Sequence, residues 1–317
     1  MTLLVTGSIG IDSVRTPYGV REECLGGSSV YFAMAASLFV PVRLVGVVGD
    51  DCPFNLRRVF AGRLVDLAGL EVRPGSRTFR WAGSYGANPN DRTTDAIELN
   101  VLAEEPPRLP EAFRDSRYVF LANTHPALQL RLLDELAQPA CVVADTMNCW
   151  IENEPAALER LLSRVNGLVL NDSEARLLTG KDNLVSAARE VLQRGLAFVV
   201  VKKGEHGSVL VTPEALFALP AYPTEDVVDP TGAGDSFAGG LLGQLARANA
   251  SPRQLPALKT ALAYGTVVAS FTIEAFSLDR LQTVTPGELD ERLAQLHAMT
   301  ASWQAEPAGG GNAEPKT

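Results

Sequence analysis

A doubly wound, mostly parallel α/β sheet with helices on both faces and a small β-sheet lid is the fold class this sequence predicts. Three observations predict it. Short apolar runs alternate with stretches of helical periodicity along most of the 317 residues, the pattern of strand and helix in turn. Two separated segments, 14–25 and 78–102, break that alternation, lack helical spacing and are rich in β-formers. The run Asp229-Pro230-Thr231-Gly232-Ala233-Gly234-Asp235-Ser236-Phe237-Ala238-Gly239-Gly240 places a small-residue turn, a carboxylate and a helix start in one short segment.

In order, residues 3–9 read as a first strand, 28–38 as a helix, 42–48 as a strand and 53–65 as a helix. Strands then follow at 118–121, 141–144, 168–170 and 198–201, separated by helices at 127–137, 155–165 and 184–193. The two β-rich segments predict a lid drawn from about 13–25 and 77–102, in which Phe79, Trp81 and Tyr85 alternate on one side of a strand. Packing within the lid, or a dimer face, explains that alternation more simply than stacking on substrate. Val227 and Val228 end a β-like run, and Phe237, Leu241, Leu242 and Leu245 recur at helical spacing, so the chain turns from strand to helix at Gly234. The expected organisation is one domain over 1–304, with a disordered tail over 305–317 that carries Gly309-Gly310-Gly311-Asn312 and few apolar residues.

Composition narrows the function. A net charge of −9 opposes binding to nucleic acid or anionic membranes, which rests on clustered Lys and Arg. Hydrophobic residues make up 46% of the chain, ample for a core, yet no apolar run approaches the roughly 20 residues a bilayer span needs. The chain opens on Leu3-Leu4-Val5 without the charged lead of a signal peptide, so a cytoplasmic location is expected. Cys24, Cys52, Cys141 and Cys149 form no C-x-x-C pair, and His125, His206 and His297 show no metal-ligand spacing. They read as reduced thiols and structural histidines.

In sheets of this class ligands gather beyond the carboxyl ends of the strands, and Asp12, Asn171, Gly204 and Gly232 each fall just past a predicted strand. A helix opening at Gly232 to Gly234 aims its free N–H groups and positive dipole end at an anion. Asp235, in the first turn, suits a general base that takes a proton from an attacking alcohol, a contribution of roughly 10²- to 10⁴-fold. It equally suits an acidic residue that favours the helix dipole.

The segment DPTGAGDSFAGG closely resembles the C-terminal signature of the ribokinase (PfkB) family of carbohydrate and nucleoside kinases, and Gly26-Gly27 resembles its first signature. Asn171-Asp172-Ser173-Glu174 is similar to the family's N-x-x-E element, and residues 199–211, with Lys202-Lys203-Gly204-Glu205-His206-Gly207, resemble its nucleotide-side strand, turn and strand. The resemblance implies a ribokinase-like fold over most of the chain and the use of ATP with Mg²⁺. Asp235 aligns with the family's base, and Gly232, Ala233 and Gly234 with its anion hole. Asn171 and Glu174 match residues that organise Mg²⁺ through water; Asn171 three residues ahead of Glu174 is also a capping-box spacing, and both roles are compatible. Lys202, Gly204 and Gly207 border the nucleotide, with adenine nearer a late helix containing Ala263 to Ala269. Asp229 and Thr231 match positions that bind a monovalent cation such as K⁺ in some relatives. Asp12 matches an aspartate that receives acceptor hydroxyls, with Gly26 and Gly27 beside it, and the lid often serves as a homodimer surface.

The chain departs from the family at Tyr31, where many members carry Asn four residues after the second glycine. Inositol-kinase-like members also carry an aromatic near this point, and a nucleoside could stack on the ring. Arg77, Arg80 and Arg92, in or beside the lid, keep a phosphosugar acceptor open, while Asn123 and Asp145 sit just past two strands within reach of a substrate. The sequence lacks a P-loop, its Gly7-Ser8-Ile9-Gly10 breaks the dinucleotide fingerprint, and Ala238 breaks a G-x-S-x-G elbow. The expectation is Mg²⁺-dependent transfer of the γ-phosphoryl group of ATP to a hydroxyl of a small sugar, nucleoside or cyclitol. The rival from another class is a catalytically silent sensor on the same fold.

Overall fold

Uninterrupted apolar runs build a large sheet, and the alternating segments build a second, small one. The computed structural model describes residues 2–301. In chain order the elements begin with β1 (Leu3–Thr6), β2 (Gly10–Thr16), β3 (Gly19–Gly26), α1 (Ser28–Ala36), β4 (Val42–Gly49), α2 (Leu56–Val59), β5 (Val65–Arg73), β6 (Phe79–Tyr85) and β7 (Arg92–Glu98). They continue with β8 (Tyr118–Leu121), α3 (Pro126–Glu135), β9 (Cys141–Asp145), α4 (Asn148–Asn153), α5 (Pro155–Leu162), β10 (Gly167–Asn171), α6 (Asp172–Thr179), α7 (Leu184–Leu192) and β11 (Phe198–Lys202). β12 (Ser208–Val211), β13 (Leu216–Leu219), α8 (Ala233–Arg247), α9 (Leu255–Thr272) and α10 (Pro286–Thr300) complete it.

The large sheet has the order β13-β12-β11-β10-β9-β8-β1-β4-β5, and only β12 runs against the others. Successive residues of its strands feed opposite faces: Val5, Phe120, Val143, Val169 and Val200 join one core, and Leu4, Val119, Val142, Leu168 and Val199 the other. That is why these strands read as solid apolar runs rather than as alternation. On the first face Phe32 of α1 stacks on Phe120 at 4.3 Å, and α8 packs between α1 and α9. Each side chain so enclosed contributes roughly 1.5–3 kcal/mol relative to exposure.

The small sheet has the order β3-β2-β6-β7, and its β2 and β6 run parallel. One face carries Val14, Cys24 and Trp81, packed with Phe79, Tyr85 and Phe276, so the alternation at 79, 81 and 85 is lid packing. Tyr18, Val20 and Ile97 of this sheet and its turn remain exposed.

Three expectations are corrected. The strand over 3–9 stops at Thr6, because Ser28 and Ala122 press against Gly7 and the chain crosses to the lid as β2. The helix over 53–65 is a single turn, Leu56–Val59, after which Gly62 at φ 79° reverses the chain and Val65 opens β5 beside Val42. Leu56 and Phe60 are both buried, so helical spacing was real there but lasted one turn. No strand precedes the Gly232 turn; the N–H groups of Val228 and Asp229 donate to the Ile273 carbonyl instead. The expected tail over 305–317 lies outside the described residues. Among those residues no helix is long and apolar enough to cross a membrane.

Candidate active site

The neighbouring strands β9, β10 and β11 end on Asp145, Asn171 and Lys202, and the register pairs Asn171 with Lys202. These ends face the start of α8. Gly232 caps that helix in the left-handed region at φ 76°, and a Cβ there would overlap the Tyr31 ring packed against it. Lys202 Nζ lies 2.7 Å from where a Cβ on Gly234 would stand, so the ammonium rests on the opening turn. Both positions demand glycine, one for its φ and one for the close approach.

The amides of this turn are unequal. Ala233 N–H donates to the Pro230 carbonyl at 3.2 Å, whereas those of Gly232 and Gly234 find no protein acceptor among the described residues. The anion hole expected over Gly232, Ala233 and Gly234 therefore rests on the two glycines. Asp235 follows directly, half-buried. Burial first, and then the neighbouring Asp145 carboxylate, push its pKa up to about 7, against the opposing pull of Lys202 and Arg92. A carboxyl so poised is a stronger base than an ordinary aspartate.

Asp145 is buried, and burial raises its pKa while Lys202, with Nζ 4.0 Å from Oδ2, lowers it. Glu174 is 6% exposed and is pushed up to about 7, first by burial and next by Asp145. Burial works against the charge of Lys202, but Asp145, Glu174 and Asp235 more than offset it and its pKa rises. Asn171 Oδ1 accepts from Glu174 N–H at 2.8 Å and Glu174 Oε2 accepts from Asn171 N–H at 2.8 Å, a complete capping box worth about 1 kcal/mol.

Three acids thus share one lysine at the strand ends, an environment short of positive charge. Among the described residues no group of three His, Cys, Asp or Glu side chains is close enough to hold an ion directly. The donor set fits Mg²⁺ that keeps most of its own water.

The acceptor-side residues gather at the lid. Asp12 sits inside β2, opposite Cys24 and Trp81, rather than beyond the first strand as expected. It is 4% exposed, and its Oδ1 is buried without a partner among the described residues. Burial, then the charges of Asp229 and Asp235, push its pKa up to about 8. An orphaned, buried carboxylate oxygen in the field of Asp235 is poised to receive a hydroxyl.

Gly26 is required beneath it, because a Cβ there would overlap Asp12 Oδ2. Gly26→Ala is therefore expected to raise the acceptor KM by up to about tenfold, since a displaced hydrogen bond to an uncharged group is worth about 0.5–1.5 kcal/mol, with the ATP KM unchanged. An unaltered acceptor KM in steady-state kinetics would remove Asp12 from the acceptor.

Tyr31, expected at the acceptor, is 2% exposed with its ring under Gly232, so it shapes the anion turn instead of offering a stacking surface. Thr231 Oγ1 donates to the Tyr85 hydroxyl of the lid at 3.2 Å. Asp229, fully buried, accepts from Thr231 N–H at 2.9 Å and Ser277 N–H at 3.4 Å, and burial raises its pKa. Gly204 and Gly207 shape the turn after β11, at φ 53° and 81°. Asn123 Oδ1 accepts from Trp150 Nε1 at 2.8 Å. The sequence pointed to Asp145 as a residue past a strand but not to its place in the Lys202 cluster; a carboxylate closing the otherwise apolar strand Cys141–Asp145 was the available signal.

Known proteins share this fold. A cytidine kinase of Thermococcus kodakarensis is 32% identical over 257 residues, covering 78% of this chain and 89% of that protein. The structure of a Burkholderia thailandensis nucleoside kinase in complex with inosine superposes with a TM-score of 0.76 at 23% identity, covering 93% of this chain and 99% of its own. A Vibrio cholerae fructokinase, solved with fructose, ADP and calcium ion bound, superposes with a TM-score of 0.73 at 18% identity over 92% of this chain and 98% of its own. The profile of pfkB family carbohydrate kinases matches residues 25–283. With that span matched and the kinase relative aligned over most of both chains, this protein belongs to the pfkB family of carbohydrate kinases and is a phosphotransferase.

Proposed function

We propose that the protein transfers the γ-phosphoryl group of ATP to a hydroxyl of a ribonucleoside, with cytidine the first candidate. One observation carries the transfer chemistry: Asp235, raised to about 7, stands beside two free glycine amides at a helix start, within the field of a partnerless Asp12 oxygen. Asp12 holds the acceptor, Asp235 takes the proton of the attacking hydroxyl, and the Gly232 and Gly234 amides with Lys202 receive the charge of the terminal phosphate. Asn171, Glu174 and Asp145 would hold Mg²⁺ through water, and the ion would supply positive charge against the phosphates. The turn at Gly204 to Gly207 borders the nucleotide. Asp229, whose buried carboxylate has amide donors but, among the described residues, no ion pair with Lys or Arg, suits a monovalent cation.

The nucleoside assignment is supported by the 32% identity to a cytidine kinase. Arg77 and Arg80 lend no support to a phosphosugar acceptor, because Arg77 pairs with Glu98 at 3.2 Å and Arg80 with Glu23 at 3.2 Å, while both also approach Asp51. A silent sensor would have no use for a raised base beside an anion turn.

ADP release measured against cytidine, inosine, aminoimidazole riboside, ribose, fructose and myo-inositol tests this reading. Nucleosides are expected to exceed free sugars in kcat/KM by about 10²-fold or more, the discrimination an occupied base pocket supplies. Preference for fructose or inositol would replace the acceptor; no ADP with any of them would remove the activity.

A further inference from the structure

We infer that Arg92, on the lid, is a catalytic residue that contacts the phosphoryl group in flight; this rests on the transfer centre being at Asp235. The β6–β7 hairpin is held on the site at two points. Thr231 Oγ1 meets the Tyr85 hydroxyl at 3.2 Å beside the anion turn, and Asn90 Nδ2 donates to Glu205 Oε1 at 3.0 Å while its Oδ1 lies where a Cβ on Gly204 would stand. Arg92 is the residue paired directly with Tyr85. Directly opposed residues of an antiparallel pair project from the same face, so Arg92 emerges on the side from which Tyr85 reaches the helix start.

Its partners separate it from the other lid arginines. Arg77 and Arg80 are engaged by Asp51, Glu98 and Glu23, whereas no carboxylate comes within 4.0 Å of Arg92 among the described residues, and its guanidinium lies 5.8 Å from the centre of the Trp81 ring. The charge of Arg92 is nevertheless felt across the cluster: it lowers the pKa of Asp235, Asp145 and Glu174 and opposes the charge of Lys202. The strand ends supply three carboxylates and one ammonium. A triphosphate adds further negative charge there, and a guanidinium offers the planar, forked donor set that phosphate oxygens accept.

In the transfer the bond from the γ-phosphorus to the bridging oxygen of ADP breaks as the bond to the acceptor oxygen forms. The acceptor proton passes to Asp235, and Arg92 donates hydrogen bonds to equatorial oxygens without exchanging a proton.

Arg92→Ala and Arg92→Lys test this with steady-state kinetics and titration calorimetry. Arg92→Ala is expected to lower kcat by about 10²-fold or more, with the acceptor KM little changed, and guanidinium ion added in solution should restore part of its turnover but none to Asp235→Asn. Arg92→Lys, which keeps the charge and loses the fork, should fall between the two. Arg92→Ala should bind ADP alone as the unaltered enzyme does, and lose affinity for ADP with aluminium fluoride. Turnover within twofold of the unaltered enzyme, or equal affinity for the fluoride complex, would overturn the role of Arg92 alone; an unaltered enzyme that forms no ADP with any acceptor would overturn the transfer centre with it.

Discussion

Asp235→Asn is expected to leave ATP and acceptor binding nearly intact while lowering kcat by roughly 10²- to 10⁴-fold, the range for a lost general base. Asparagine keeps the shape and removes the proton acceptor. In the unaltered enzyme kcat/KM should rise with pH up to about 7, because Asp235 works only when ionised and burial has raised its pKa to that value. Below that point each unit of pH costs about tenfold, and the acid limb should be absent from the residual activity of the variant. Stability moves the other way. The folded pKa of about 7 exceeds the ordinary 3.8, so the native state is favoured while the group is protonated and loses that advantage as pH rises from 3.8 to about 7. Ligand-free Asp235→Asn should therefore melt no lower than the unaltered protein at pH 8. Equal turnover of the two enzymes would end the assignment of the base.

Lys202→Met is expected to be the most damaging change to the fold. The lysine is the nearest cation to Asp145, Glu174 and Asp235, its side chain is 18% exposed, and removal leaves buried carboxylates facing one another. Breaking a buried pair typically costs about 3–5 kcal/mol. The sign with pH is specific. Glu174 and Asp235 titrate at about 7 even with the lysine present, so without it they protonate at still higher pH. The loss should be greatest at pH 8 and shrink toward pH 5.5, where the acids carry protons, as read by thermal melts at both values. A pH-independent loss would show that the methylenes of Lys202, not its charge, hold the site.

The contrast between Asp235 and Arg92 marks what a sequence can reveal about such a site. Asp235, Gly232, Gly234, Asn171 and Glu174 lie in short contiguous motifs whose local geometry is nearly self-contained: a helix start and a capping box. Those are legible because backbone chemistry alone dictates them. Asp145, Tyr85 and Arg92 reach the centre only through tertiary packing, and nothing beside them in the chain distinguishes Arg92 from Arg77 or Arg80. Tyr31 shows the converse, since its position in the motif was correct and its environment was not visible until the Gly232 turn was seen lying on its ring. The strands of the large sheet were legible because both faces are covered. The two edge strands, β5 and β13, were not: both mix buried with exposed residues and neither forms a solid apolar run.

The parallel pairing of β2 with β6 has a consequence for how the chain assembles. Gly10 pairs with Phe79, so this contact closes a long loop that contains the helix α1 and the large-sheet strands β4 and β5. The entropy of closing such a loop is recovered cheaply only after the intervening segment has condensed. The cover over the cleft thus waits on β4 and β5: its two halves meet cheaply only once the strands between them have drawn the chain together.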